Sequence, residues 1–166
     1  MMKMRTTFED MPLKWPLISI ILGVYAITAF GFGYLGLSRW MENYSKTASV
    51  IMYISAVVFL ISIVVHHIIC GLVEWLYVRM GRTDEARTVA LEFQMKTIVT
   101  MLVGYLGLAA FVITLFVMVV MGRTILPVWA CIFNTLPIML LLAITKLPAK
   151  GNIAGAIMYL GLLFLL

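Results

Sequence analysis

The stretch TASVIMYISAVVFLISIVVHHIICGLV, residues Thr47–Val73, decides the fold because it contains no Asp, Glu, Lys or Arg. About 20 apolar residues suffice to carry an α-helix across the hydrocarbon core of a bilayer. Three more uncharged runs of at least 22 residues and one shorter run occur elsewhere in the chain: Trp15–Ser38, Thr97–Gly122, Thr124–Thr145 and Gly151–Leu166. The pattern therefore predicts five membrane-spanning helices.

The composition of the 166-residue chain agrees with a membrane protein. Hydrophobic residues make up 64% and charged residues 11%, and the mean hydropathy is +1.11, whereas roughly a quarter of the residues in a soluble domain are charged. Because lipid offers no hydrogen bonds to the backbone, such runs must be α-helices. We predict an all-α integral membrane helical bundle that forms a single domain over residues 1–166. Its spans are expected at about 15–38, 47–77, 90–122, 124–145 and 152–166, with the last one short or truncated.

The distribution of Lys and Arg predicts the orientation. Nine of these residues fall on the side of the N-terminus and three on the opposite side. The nine are Lys3, Arg5, Lys14, Arg79, Arg82, Arg87, Lys96, Lys146 and Lys150, and the three are Arg39, Lys46 and Arg123. Since cytoplasmic loops carry the excess of basic residues, we predict a cytoplasmic N-terminus and a multi-pass protein of the plasma (inner) membrane. The net charge of +5 suits the headgroups of a lipid bilayer, so we expect no nucleic acid as a partner.

Local signals mark the connection between the second and third helices. Gly81 is expected to end the second helix, and Thr83–Glu85 supplies a cap and two acidic residues for the first turn of the next one. Glu92 and Lys96 form an i,i+4 pair in the favourable order. The third helix is therefore predicted to extend beyond the membrane.

Polar side chains of the second predicted span, 47–77, are the best candidates for function, because ionisable groups are costly in a membrane. At 100° per residue, five of them share an arc of about a third of the helix: His66, His67, Cys70, Glu74 and Tyr77. Histidine changes charge near neutral pH, and a carboxyl group in a dry cleft becomes a usable acid. We therefore assign His66, His67 and Glu74 as catalytic candidates. Cys70 and Tyr77 are expected to line a ligand pocket near the cytoplasmic leaflet.

The fourth run supplies a further candidate, Asn134, which is followed by Thr135 and Pro137. Pro137 is predicted to kink the helix and to free the carbonyl of Phe133. We include Asn134 as a ligand-orienting amide, although a hydrogen bond from its side chain to another helix is the favoured interpretation.

Simpler structural interpretations stay open for the other candidates as well. The histidines serve equally as hydrogen-bonding partners of neighbouring helices, and Glu74 as a partner of water, Arg79 or Arg82 near the headgroups. No further metal ligands accompany His66 and Cys70, so we expect neither a metal nor a cofactor. The two cysteines are expected to be reduced. Nucleotide-binding, zincin and serine-hydrolase motifs are missing from suitable contexts.

Three classes of function remain. The favoured one is the binding or conversion of a lipophilic small molecule by His/Glu acid–base chemistry. A transporter or proton pathway is the second class, but it needs polar groups along the whole membrane depth, which spans one, three and five do not offer. The third is a structural or assembly subunit of a membrane complex. Whether the chain is an enzyme, and whether it forms a homo-oligomer or has another membrane partner, stays open.

Overall fold

The protein is described by a computed structural model over residues 11–147 and 150–166, which contain helices and no strand. This confirms the all-α prediction. The elements of the described chain are α1 (Lys14–Met41), α2 (Lys46–Arg79), α3 (Asp84–Lys96), α4 (Val99–Val120), a 3-10 helix (Val128–Phe133), α5 (Thr135–Ala143) and α6 (Lys150–Leu163).

Three helical stretches in the described part of the chain are long and apolar enough to cross a membrane. They are α1 with 28 residues, α2 with 34 residues, and α3 followed by α4 over Asp84–Val120. The two C-terminal helices are shorter, with 9 residues in α5 and 14 in α6. At 1.5 Å per residue, neither covers the ~30 Å of a hydrocarbon core. The fold is thus consistent with a membrane protein, whereas five spans are not confirmed.

The fourth predicted span is the region where the structure differs most from the sequence-based expectation. In place of one kinked helix over 124–145, a 3-10 helix ends at Phe133 and α5 begins at Thr135. Asn134 between them has extended backbone angles, φ −65° and ψ 141°, and its side chain accepts a hydrogen bond from the N–H of Leu136 at 3.0 Å. Pro137 consequently lies in the first turn of α5, where its missing N–H needs no partner. The predicted kink at Pro137 is wrong because Asn134 starts a new helix.

The connection between α2 and α3 has the predicted local structure. Gly81 (φ 75°) and Arg82 (φ 60°) adopt left-handed backbone conformations just after α2. The Thr83 side chain then caps α3 by accepting a hydrogen bond from the N–H of Ala86 at 3.1 Å. Lys96 and Glu92 form the expected ion pair at 2.6 Å.

The described chain is organised as two compact units. The first unit extends up to Phe30 and includes Phe59–Gly104, and the second comprises Gly31–Val58 and Tyr105–Leu166. Because the division passes through α1, α2 and α4, each of these helices contributes residues to both units.

Small residues bring the helices of the first unit close together. A Cβ atom at Gly23 would overlap the ring of His67, and one at Gly71 would overlap Ile20. Residue numbers rise along α2 as they fall along α1, so the two helices are antiparallel in this unit. Glycine at such positions lets backbones and side chains approach closely, as in many membrane helix interfaces.

The core of the second unit is aromatic. Tyr34, which is 1% exposed, packs edge-on against Phe111 with ring centroids 4.9 Å apart and against Tyr159 at 5.4 Å. The Nδ2 amide of Asn134 donates a 2.8 Å hydrogen bond to the carbonyl of Val112 on α4. Asn134 thereby ties the start of α5 to α4.

The charge asymmetry predicts the sides on which the loops lie. In a chain whose Cys70 and Cys131 are replaced by Ser, Asn43→Cys between α1 and α2 is expected to react with a membrane-impermeant maleimide in intact cells. Glu85→Cys at the start of α3 should react only after permeabilisation. Both parent residues are exposed. Labelling of Glu85→Cys in intact cells would contradict the cytoplasmic N-terminus.

Asn134 is expected to stabilise the second unit through both ends of its amide. Loss of the cap costs about 1 kcal/mol, and loss of the hydrogen bond to Val112 about 1 kcal/mol more. Asn134→Ala should lower the free energy of unfolding, measured by SDS titration in micelles, by about 2 kcal/mol, and Asn134→Ser, which keeps a cap, by about half of that. The exposed Asn152 on α6 provides the control. If Asn134→Ala and Asn152→Ala lower the free energy of unfolding equally, Asn134 does not stabilise the second unit in this way.

Candidate functional site

Four polar side chains of the first unit form a hydrogen-bonded group, which we call the His66 cluster: His66, Cys70, Gln94 and Thr100. His66 and Cys70 lie one turn apart on α2, and the Cys70 Sγ is 3.4 Å from the His66 Nε2. All four side chains are half-buried. The structure thus brings two of the predicted site residues into direct contact.

The contacts of the Thr100 hydroxyl indicate which nitrogen of His66 carries the proton. The hydroxyl donates to the carbonyl of Thr97 at 2.8 Å, and its oxygen is 3.1 Å from the His66 Nδ1. A hydroxyl has one hydrogen, and we assign it to the shorter contact, with the Thr97 carbonyl, so that the Thr100 oxygen accepts from Nδ1–H. In the neutral imidazole the lone pair is then on Nε2, the atom that faces Cys70. With this tautomer, the thiol is the donor in its contact with Nε2.

The break between α3 and α4 provides the last acceptor in this series of hydrogen bonds. Thr97 and Ile98 separate α3 from α4, and the carbonyl of Thr97 accepts from both the N–H and the hydroxyl of Thr100. On the other side of the break, the Gln94 amide donates to the Cys70 Sγ at 3.8 Å. Hydrogen bonds thus lead from Gln94 through Cys70 and His66 to Thr100.

His67 belongs to a different contact. Its Nε2 lies 3.1 Å from the carbonyl of Ser19 on α1. A carbonyl only accepts, so Nε2 is the protonated nitrogen of this ring. Gly23, one turn after Ser19, leaves the space that the ring occupies. The two neighbouring imidazoles therefore contact different helices, His66 on the side of α4 and His67 on the side of α1.

Glu74 and Tyr77 continue along α2 beyond Cys70, and both are half-buried. Glu74 follows Cys70 by four residues, so the two side chains leave the helix on the same face. The carbonyl of Tyr77 accepts from the N–H of Arg82 at 3.0 Å in the turn that ends α2. These two residues therefore lie between the His66 cluster and the end of the helix.

Asn134 has a structural task in the second unit. Both ends of its amide are engaged, the oxygen with Leu136 and the nitrogen with Val112, and the residue is only 4% exposed. The hydrogen bond to α4 is the interhelical contact that the sequence favoured for this residue.

Gln94 and Thr100 are the members of the cluster that sequence reasoning missed. Both lie on the chain segment after α2, and their proximity to Cys70 and His66 depends on how α3 and α4 pack against α2. The signal in the sequence was the group of uncharged polar residues Gln94, Thr97 and Thr100, which begins just before the third run. Their spacing of three residues places them on neighbouring parts of one helical surface.

An apolar groove in the second unit is a separate feature. It is lined by Trp129, Phe133, Ile157, Leu160, Gly161, Phe164 and Leu165. None of these side chains ionises, so the groove offers shape to an apolar group without acid–base chemistry.

The comparisons with known proteins bear on the family and leave the activity open. No match was found among curated proteins or among solved structures. One family model matches residues 1–165, and its description is a family of unknown function. Because the match covers nearly the whole sequence, the chain belongs to this family, DUF6796.

Proposed function

We propose that this protein binds a lipophilic small molecule at the His66 cluster and converts it by acid–base chemistry, with His66 as the residue that moves the proton. The observation that carries the proposal is the orientation of the imidazole. Thr100 holds Nδ1, and the basic Nε2 faces a side chain that has a proton to give. A base that a third group holds in place beside a proton donor is a recurrent arrangement in catalytic sites.

The surroundings of the cluster support a lipophilic substrate. His66 and Cys70 lie within α2, one of the helices that are apolar and long enough to span a membrane. Their side chains are half-buried, so part of each faces outward. Phe93 and Val99, neighbours in sequence of Gln94 and Thr100, expose 44% and 56% of their surface. In a bilayer this apolar surface contacts acyl chains, and a molecule dissolved in the membrane reaches the cluster from the side.

The other candidates take supporting parts in this proposal. Glu74 and Tyr77 lie toward the end of α2, where the headgroup region is expected, and would contact the polar end of the substrate. His67 holds α1 against α2 through the Ser19 carbonyl. We assign no part in this proposal to Asn134, since both ends of its amide are already hydrogen-bonded to Val112 and Leu136.

Photo-crosslinking with a fatty acid that carries a diazirine and an alkyne tests the binding. In phosphatidylcholine vesicles containing the purified protein, adducts within 61–79 and 84–104 are expected to saturate with dose and to be displaced by untagged palmitate. Adducts on the exposed face of α1, at Leu22 and Tyr25, should instead rise in proportion to dose, because these residues are 64% and 73% exposed and contact bulk lipid.

Variants connect the saturable binding to the cluster. His66→Phe keeps an aromatic ring but removes both ring nitrogens, so the saturable component should weaken about tenfold, roughly the loss of one hydrogen bond. Tyr105→Phe, on the exposed part of α4, is the matched control and should have no effect. If no adduct saturates, or if both variants behave like the parent protein, the proposal is wrong.

A further inference from the structure

We infer that Cys70 is a nucleophile that accepts a fatty acyl group from an ester or thioester, with His66 as its base. This inference rests on the proposed function and makes it specific, because it names the reacting atom and the class of substrate. The relevant contact is between the Cys70 Sγ and the His66 Nε2 at 3.4 Å. A cysteine becomes reactive when a base beside it removes its proton, since the thiolate is the nucleophile.

Three parts of an acyl-transfer site surround the thiol. His66 supplies the base, and Thr100 orients that base through Nδ1. The Gln94 amide donates to the sulfur and has a second N–H on the same nitrogen. A hydrogen-bond donor beside the nucleophile is what the oxyanion of a tetrahedral intermediate requires.

The location of the thiol in a membrane helix selects the kind of electrophile. A charged phosphoryl group is costly to bring into hydrocarbon, whereas the ester carbonyl of an acyl chain is uncharged and lies close to the apolar region. The substrate class is therefore a fatty acyl group on an oxygen or sulfur leaving group. A glycerolipid ester and an acyl thioester share this chemistry.

The reaction balances without a further reagent. The S–H bond of Cys70 breaks, its proton goes to the His66 Nε2, and the sulfur electron pair forms a bond to the carbonyl carbon. When the oxyanion collapses, the bond from that carbon to the leaving group breaks, and the leaving alkoxide or thiolate takes the proton from Nε2. The products are S-acyl Cys70 and an alcohol or thiol. Water, deprotonated by His66, then releases the fatty acid and restores the thiol of Cys70.

The experiment uses the purified full chain in vesicles, with no other enzyme present. One arm supplies alkyne-tagged palmitoyl coenzyme A, and the other supplies phosphatidylcholine with an alkyne-tagged acyl chain. Label that hydroxylamine removes reports a thioester, and peptide mapping locates it. We expect thioester label at Cys70 in at least one arm, and the reacting arm identifies the source of the acyl group.

Cys131 is the matched control, because it is the other cysteine of the chain, is also half-buried and belongs to the second unit. Cys131→Ala should leave the label unchanged, and Cys70→Ala should remove it. His66→Ala should slow acylation about 100-fold, in the range of a lost general base. Thr100 is a positioning residue, so Thr100→Val should slow acylation and Thr100→Ser should restore it.

Label in neither arm, equal label at Cys131, or a Cys70 rate that His66→Ala leaves unchanged would each overturn the inference. The photo-crosslinking separates these failures from failure of the proposed function. The crosslinking is done on the parent protein, where it measures binding without acyl transfer, and an unfolding midpoint in micelles equal to that of the parent shows that Cys70→Ala and His66→Ala fold. Saturable adducts without acylation of the parent protein would leave lipid binding standing and dismiss Cys70 as the nucleophile.

Discussion

Three helical stretches are apolar and long enough to cross a membrane, and in hydrocarbon, which offers no hydrogen bonds, each polar group of such a helix needs a partner in the protein itself. Among the described residues, no buried side-chain nitrogen or oxygen lacks one. The hydroxyls of Thr28, Ser38 and Thr114 find their partner within their own helix, since each donates to the carbonyl four residues earlier. Side chains that bond to another segment, such as His67 to Ser19 and Asn134 to Val112, determine which helices pack together. The contact between His66 and Thr100 belongs to this second kind.

Much of the helical framework was predictable from single stretches of sequence. The first three long helices follow from the lengths of the uncharged runs, and Gly81 and Thr83 mark the end of α2 and the start of α3 because their signals are local. The single helix predicted for the fourth run is wrong for a physical reason. Hydropathy measures the affinity of a segment for lipid, whereas helix continuity at Asn134 is decided by competition between the side-chain oxygen and the backbone for the N–H of Leu136.

The candidate site was predictable only in part. The periodicity of α2 placed His66 and Cys70 on one side of the helix, and their contact follows directly from the one-turn spacing. Sequence periodicity also indicated an arc shared by both histidines, yet 100° is enough for neighbouring rings to contact different helices. Gln94 and Thr100 could not be predicted from the sequence, because their contacts with α2 depend on tertiary packing. No local pattern in a single chain encodes which turn of α4 lies beside His66.

The interruption at Thr97 and Ile98 divides the His66 cluster between two helices. Gln94 lies on α3 and Thr100 on α4. The amide that contacts the Cys70 sulfur and the hydroxyl that contacts the His66 ring therefore belong to different helices. A change in the angle between α3 and α4 would therefore separate the Gln94 amide from Cys70 and leave the contact between Thr100 and His66 in place. The same change would move the charged side chains of Glu92 and Lys96, which also lie on α3 and are 61% and 73% exposed.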